Sequence, residues 1–111
     1  MRQEEINIKV TLDEDKQPHS LAWQATSGDG GKAKAMLLSF FDNEKLDTLK
    51  IDLWTTDFQI MEMDRFMFQT LSALADTYQR ATQNNELASQ LKEFSLHFGE
   101  KTGTLKPREN S

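Results

Sequence analysis

Glycines, histidines and carboxylates supply the only groupings through which this cysteine-free chain of 111 residues could hold a cofactor or a metal. Gly28, Gly30 and Ala33 spell G-x-G-x-x-A between two patterned segments, and Asp52 follows at about the distance at which a dinucleotide fold places its ribose-binding acid. That chemistry needs a buried parallel strand ahead of the first glycine. The segment ahead of it, where Leu21, Trp23 and Ala25 continue an alternation, reads as a half-exposed strand of a hairpin, and Asp29 inside the loop would repel a pyrophosphate. A phosphate-cradling P-loop fails too, because Thr26 stands where its first glycine belongs and Ala33 follows Lys32 where a Mg²⁺-binding hydroxyl is needed. The stretch is expected to be a loop.

The other groupings fare no better. Asp13, Glu14 and Asp15 could begin a calcium loop, but Pro18 and His19 follow instead of the central glycine and closing glutamate. His19 and His97 share no ligand spacing, and a metal site needs three or four convergent ligands. No serine sits in a G-x-S-x-G elbow, and no carboxylate pair lies in an apolar surround. The residues therefore predict no enzyme, no cofactor and no metal.

Charge narrows the partners. Thirteen Lys and Arg face eighteen Asp and Glu, for a net charge of −5. Neither half of the chain holds the clustered basic face that neutralises phosphates, so nucleic acid is not an expected partner and anionic membrane surfaces are disfavoured. No apolar run approaches the ~18 residues of a membrane span, so no membrane insertion is expected. The opening Met1-Arg2-Gln3-Glu4-Glu5 is polar and unlike a secretory signal.

The elements that would position any site follow from periodicity. Ile6, Ile8, Val10 and Leu12 alternate with polar residues, a polar turn covers 13–19, and Leu21, Trp23 and Ala25 resume the alternation, which makes a hairpin. Ala33, Met36, Leu37, Phe40 and Phe41 stand at helical spacing and predict a short helix. Leu49, Ile51 and Leu53 alternate with Lys50, Asp52 and Trp54 in a third strand. Thr55, Thr56 and Asp57 offer N-cap chemistry for a long helix near 61–82, striped by Met63, Met67, Leu71, Leu74 and Tyr78. Asn84 and Asn85 separate it from a last helix with a stripe of Leu87, Leu91, Phe94 and Phe98, closed by Gly99 as its C′ residue.

The order ββαβαα predicts an α+β fold. Its sheet has three antiparallel strands in the order 2-1-3, covered on one face by three helices. Residues 1–101 form a single domain and 102–111 a flexible tail. The apolar stripes are read as core. On the open sheet face parity leaves Trp54 beside Lys50 and Asp52, while Phe68 and Leu96 fall outside the stripes of their helices. These five residues are the candidate partner surface, because exposed large apolar groups mark protein contacts more often than chemistry.

Three stretches carry a resemblance. Glu5-Ile6-Asn7-Ile8-Lys9-Val10-Thr11-Leu12-Asp13-Glu14-Asp15, Ile51-Asp52-Leu53-Trp54-Thr55-Thr56-Asp57, and the segment from Gln69 to Gln83 resemble the gliding motility protein GldC family of Bacteroidota, in order across roughly residues 5–99. The resemblance implies a cytoplasmic, non-enzymatic accessory of surface motility that works by protein–protein contact. It further implies a link to the membrane-associated gliding protein GldB. It transfers no catalytic or ligand residue. Two alternatives stand beside it: a small-ligand or enzymatic domain with a pocket between sheet and helices, and a homodimer whose interface absorbs the wide apolar arc of the long helix.

Overall fold

The structure, a computed structural model, describes residues 1–106. Among them are five strands and two helices: β1 (Ile6–Leu12), β2 (Pro18–Ala25), β3 (Gly30–Ala33), β4 (Ala35–Phe41), β5 (Thr48–Trp54), α1 (Ile60–Thr82) and α2 (Asn85–Lys101). The chain divides into two compact units, Met1–Phe58 with all the strands and a second from Gln59 with both helices.

The α+β class stands, but the expected single sheet and three helices do not. The strands form two antiparallel sheets, one of order β1-β2-β3 and one of β4-β5. The segment expected as a short helix is β4, and the expected loop at 28–31 runs into β3. The third expected strand pairs with β4 rather than with β1, which removes the 2-1-3 order. The physical reason lies in Ala35–Phe41, read AMLLSFF. A nearly continuous apolar run satisfies helical spacing and a strand apolar on both faces equally well. Pairing with the alternating Leu49, Ile51 and Leu53 decides for the strand: Met36 stands opposite Leu53, Leu38 opposite Ile51, and Phe40 opposite Leu49.

The first hairpin is the one that the alternation predicts. Ile8 faces Trp23 and Val10 faces Leu21, with a register shift between Thr11 and Leu12. Leu21 is buried and anchors this sheet. Asp13 closes the turn: one carboxylate oxygen accepts the amides of Asp15 at 2.8 Å and Gln17 at 3.0 Å, and Lys16 takes the left-handed conformation with φ 61°. The acidic cluster is thus turn chemistry. The glycines beyond β2 also have backbone duties. Gly28 adopts φ 99°, and a Cβ on Gly30 would lie 2.6 Å from the Trp23 carbonyl oxygen.

In the helical unit, α1 begins with Gln59 as N-cap, whose amide donates to the Glu62 carboxylate at 3.2 Å. The expected cap at 55–57 serves another purpose, described below. α1 ends on Gln83 in the left-handed region, and Asn84 caps α2 by accepting the Leu87 amide at 3.2 Å. Gly99 does not end α2; it lies buried within it, and Thr102 is the C-cap. A Cβ on Gly99 would stand 2.8 Å from the Phe68 ring and 2.9 Å from Leu105.

The contact between α1 and α2 runs along small residues. Ala75, Ala88, Ser95 and Gly99 are the buried positions. Ser95, fully buried, donates its hydroxyl to the Lys92 carbonyl at 2.7 Å, so the 3.0 Å contact with Ser72 is a bond donated by Ser72. Lys92 reaches back to the Ser72 carbonyl at 3.3 Å and to Asp76 at 3.0 Å. The expected apolar stripe does not make this contact: Leu87, Leu91 and Phe94 are exposed, as is Leu74 on α1. Small side chains let two backbones approach closely, and the hydroxyl pair ties them, so the large residues are left on another face. Of the expected tail, residues 107–111 lie outside the described residues. Leu105 is half-buried, and its amide donates to the Gly99 carbonyl at 2.9 Å.

Gly30→Ala should destabilise the protein by about 1–3 kcal/mol, because the backbone of β2 must retreat from the new methyl. Thermal unfolding checks this; an unchanged melting temperature would refute the close approach.

Candidate functional site

The second hairpin gathers three of the five predicted surface residues. Lys50, Asp52 and Trp54 share one face of β5, with Ser39, Leu37 and Ala35 opposite them on β4. The Lys50 ammonium pairs with the Asp52 carboxylate at 2.9 Å and lies 3.4 Å from the Ser39 hydroxyl. Trp54 is 50% exposed. A shallow depression of about 190 Å³ lies beside it, lined by Gln17, Pro18, Asp52, Leu53 and Trp54. Phe68 and Leu96 belong to the helical unit, where both are half-buried, Phe68 against the Gly99 backbone. The structure therefore groups Trp54, Lys50 and Asp52 and leaves the other two on separate elements.

Sequence reasoning missed the tip of this hairpin. Phe40, Phe41, Leu46 and Leu49 are 56%, 68%, 63% and 59% exposed. Phe40 and Leu49 stand on one face, and Phe41 on the other with Lys50 and Asp52. Reading residues 33–41 as a helix hid these phenylalanines in an assumed core. The signal that could have found them is the polar run Asp42-Asn43-Glu44-Lys45 between the apolar run that ends at Phe41 and the alternating segment that begins near Leu49, a hairpin pattern.

The tip is built by the same device as the first hairpin. One Asp42 carboxylate oxygen accepts the amides of Lys45 at 2.7 Å and Glu44 at 3.0 Å. These bonds favour the ionised form and hold the Asp42 carboxyl below its ordinary value. The chain returns through Leu46 at φ 57°, a left-handed position that costs a residue bearing a Cβ about 1–2 kcal/mol. Among the described residues Leu46 stays mostly exposed, so burial of its side chain offsets little of this cost.

At the base of the hairpin Thr55 is buried. Its amide donates to the Lys34 carbonyl at 2.8 Å, and its hydroxyl donates to the Asp57 carboxylate at 2.5 Å. That hydroxyl bond, helped by the Lys34 charge and outweighing the opposing effect of desolvation, lowers the Asp57 carboxyl. The residues expected to cap a helix instead lock the end of β5.

Among the described residues no three His, Asp or Glu side chains converge on a metal-sized site. An open cleft of about 520 Å³ on the helical hairpin is lined by Asp76, Gln79, Arg80, Asn85, Ser89 and Lys92, with Ala75 and Ala88 beneath. Lys92 is engaged by Asp76, and Gln79 by Asn85 at 2.9 Å, so these four groups serve the joint between the helices. Among the described residues no helix is long and apolar enough to cross a membrane.

These features define a small α+β protein whose distinguishing surface is apolar. A family model described as gliding motility-associated protein GldC-like matches residues 18–104, and the chain belongs to that family. It is thereby a gliding motility-associated protein, as the resemblance of its sequence implies. Searches of curated proteins and of solved structures each return no significant match.

Two measurements check the tip. The Asp42 carboxyl should titrate below the model-peptide midpoint of ~3.9, followed by NMR. Because its folded value is depressed, its stabilisation is present above that midpoint and is lost as pH falls through the folded value. The cost of Asp42→Ala, measured by thermal unfolding, should accordingly vanish in acid; a cost that persists there would refute the assignment. Leu46→Asn should raise stability by about 0.5–1 kcal/mol, since asparagine tolerates the left-handed region better. A lower melting temperature would show that the Leu46 side chain is held by packing.

Proposed function

We propose that the protein is a non-enzymatic accessory of the gliding machinery of Bacteroidota, acting in the cytoplasm through protein–protein contact. Membership of the GldC-like family supports the setting. The observation that carries the contact role is the second hairpin, whose tip exposes four large apolar side chains on both faces, with Trp54 at its base. A patch of this kind exceeds the scattered single residues of an ordinary surface. Aromatic residues at its centre are the side chains that most often carry interface energy. The membrane-associated gliding protein GldB, implied by the resemblance, is the first partner to test.

Phe41→Ser combined with Leu46→Ser, and separately Trp54→Ala, should leave the melting temperature close to that of the parent, because each side chain is at least half exposed. Each variant should weaken capture of purified GldB by roughly thirtyfold, the effect of a central interface residue worth ~2 kcal/mol. Parent-like capture by both variants would refute the hairpin as the contact surface. Failure of the unaltered protein to bind GldB would remove that partner.

A further inference from the structure

β5 is an edge strand, paired on one side only in its two-stranded sheet. Which backbone groups it leaves open follows from the ladder. In an antiparallel pair, hydrogen-bonded and non-bonded residue pairs alternate. The bonded pairs at the two ends, Thr55 with Lys34 and Asp42 with Asp47, fix the phase. Leu49, Ile51 and Leu53 therefore bond to β4, while the amides and carbonyls of Lys50 and Asp52 point to the open edge. The edge closes beyond Trp54, where the Thr56 amide donates to the Pro18 carbonyl at 3.1 Å.

Natural proteins guard such edges with proline, bulges or inward charges. β5, Thr-Leu-Lys-Ile-Asp-Leu-Trp, has no proline, and its register with β4 is uninterrupted. Its charges have another property. They are complementary about the central Ile51: Lys50 precedes it and Asp52 follows it. We propose that two copies of the chain join through β5, antiparallel, about a two-fold axis at Ile51.

In that register Lys50 faces Asp52 of the second copy, Asp52 faces Lys50 of the second copy, and each Leu49 faces a Leu53. The phase agrees independently. Lys50 and Asp52 become hydrogen-bonded pairs through the groups the edge leaves open, and Ile51 meets its counterpart as a non-bonded pair, the closer kind. Opposite charges directly across a ladder favour pairing, and like charges oppose it. Moving the axis one residue either way sets Lys50 or Asp52 against its own copy. Of the other two long edge strands, β4 carries no charged residue that could set a register, and β1 has Lys9 at its centre and would oppose two lysines, besides carrying a register shift near its end. The second copy is thus selected by charge as well as by geometry. The product is a four-stranded sheet, β4-β5-β5-β4, which doubles the apolar face formed by Met36, Leu38, Phe40, Leu49, Ile51 and Leu53.

The test reads oligomeric state on the purified protein and needs no gliding component, so its failure is distinct from failure of the proposed function. Sedimentation and light scattering should give twice the 12.8 kDa chain mass. Lys50→Asp and Asp52→Lys should each weaken the dimer by roughly tenfold or more, and the double exchange should restore it. The chain has no cysteine, so Ile51→Cys introduces a single thiol that should cross-link two copies on oxidation. Leu49→Cys, facing Leu53, should cross-link far less. A monomer up to the solubility limit would overturn the proposal. So would a dimer indifferent to charge reversal, or equal cross-linking at the two positions. The cysteine variants keep both charges, so they decide the matter even where a charge variant fails to fold.

Discussion

One stretch of chain, Gly30 to Phe41, serves both sheets. Its first part is β3, pairing with β2 from Leu21 to Gln24; its second part is β4, pairing with β5 along its full length. Lys34 stands between them, and its carbonyl receives the Thr55 amide. The glycines must lie where β2 comes within contact of their α-carbons, and the apolar run must lie where β5 alternates. If the stretch adopted the helix its spacing allows, β2 would lose one neighbour and β5 its only one. A two-stranded ribbon is marginal by itself. The lock at Thr55, with its hydroxyl on Asp57 and its amide on Lys34, is therefore central to this unit.

The helical unit solves a different problem with the same economy of contact. Ser72 and Ala75 on α1, and Ala88, Ser95 and Gly99 on α2, recur at intervals of three, four and seven residues, a row on one face of each helix. The row is small enough for close approach and polar enough to be fixed by hydroxyl bonds. A seam of this kind buries little apolar area, so its specificity comes from fit and hydrogen bonding more than from hydrophobic area. Leu74, Leu87 and Phe94, each one position away, remain on the surface.

Much of this was legible in the sequence where the deciding interaction is local. The alternation of Ile6 to Leu12 and Leu21 to Ala25 predicts the first hairpin. The stripe from Met63 to Tyr78 predicts α1 to within a residue at its start, and Asn84 predicts the break. What escaped depends on residues far apart in the chain. AMLLSFF contains no β-branched residue, and its composition favours a helix; only β5 overrules it. The stripe Leu87, Leu91, Phe94 reads as a core face until the neighbouring Ala88, Ser95 and Gly99 are seen to make the helix contact. At the candidate site parity correctly grouped Lys50, Asp52 and Trp54, because alternation in β5 is unambiguous. The phenylalanines of the tip were lost with the misread element.

Among the described residues every strand pairs only with a neighbour in sequence. Loop closures are short, so the sheet unit should assemble quickly and in order as the chain leaves the ribosome. By the time Phe58 emerges, that unit has all its partners while the helices are still unmade. The apolar hairpin is then presented to a crowded solution at its most vulnerable moment. Asp42, Glu44, Lys45 and Asp47 flank the exposed phenylalanines at this point. Charges in that position act as gatekeepers against aggregation, so the loop that turns the hairpin also protects the nascent chain.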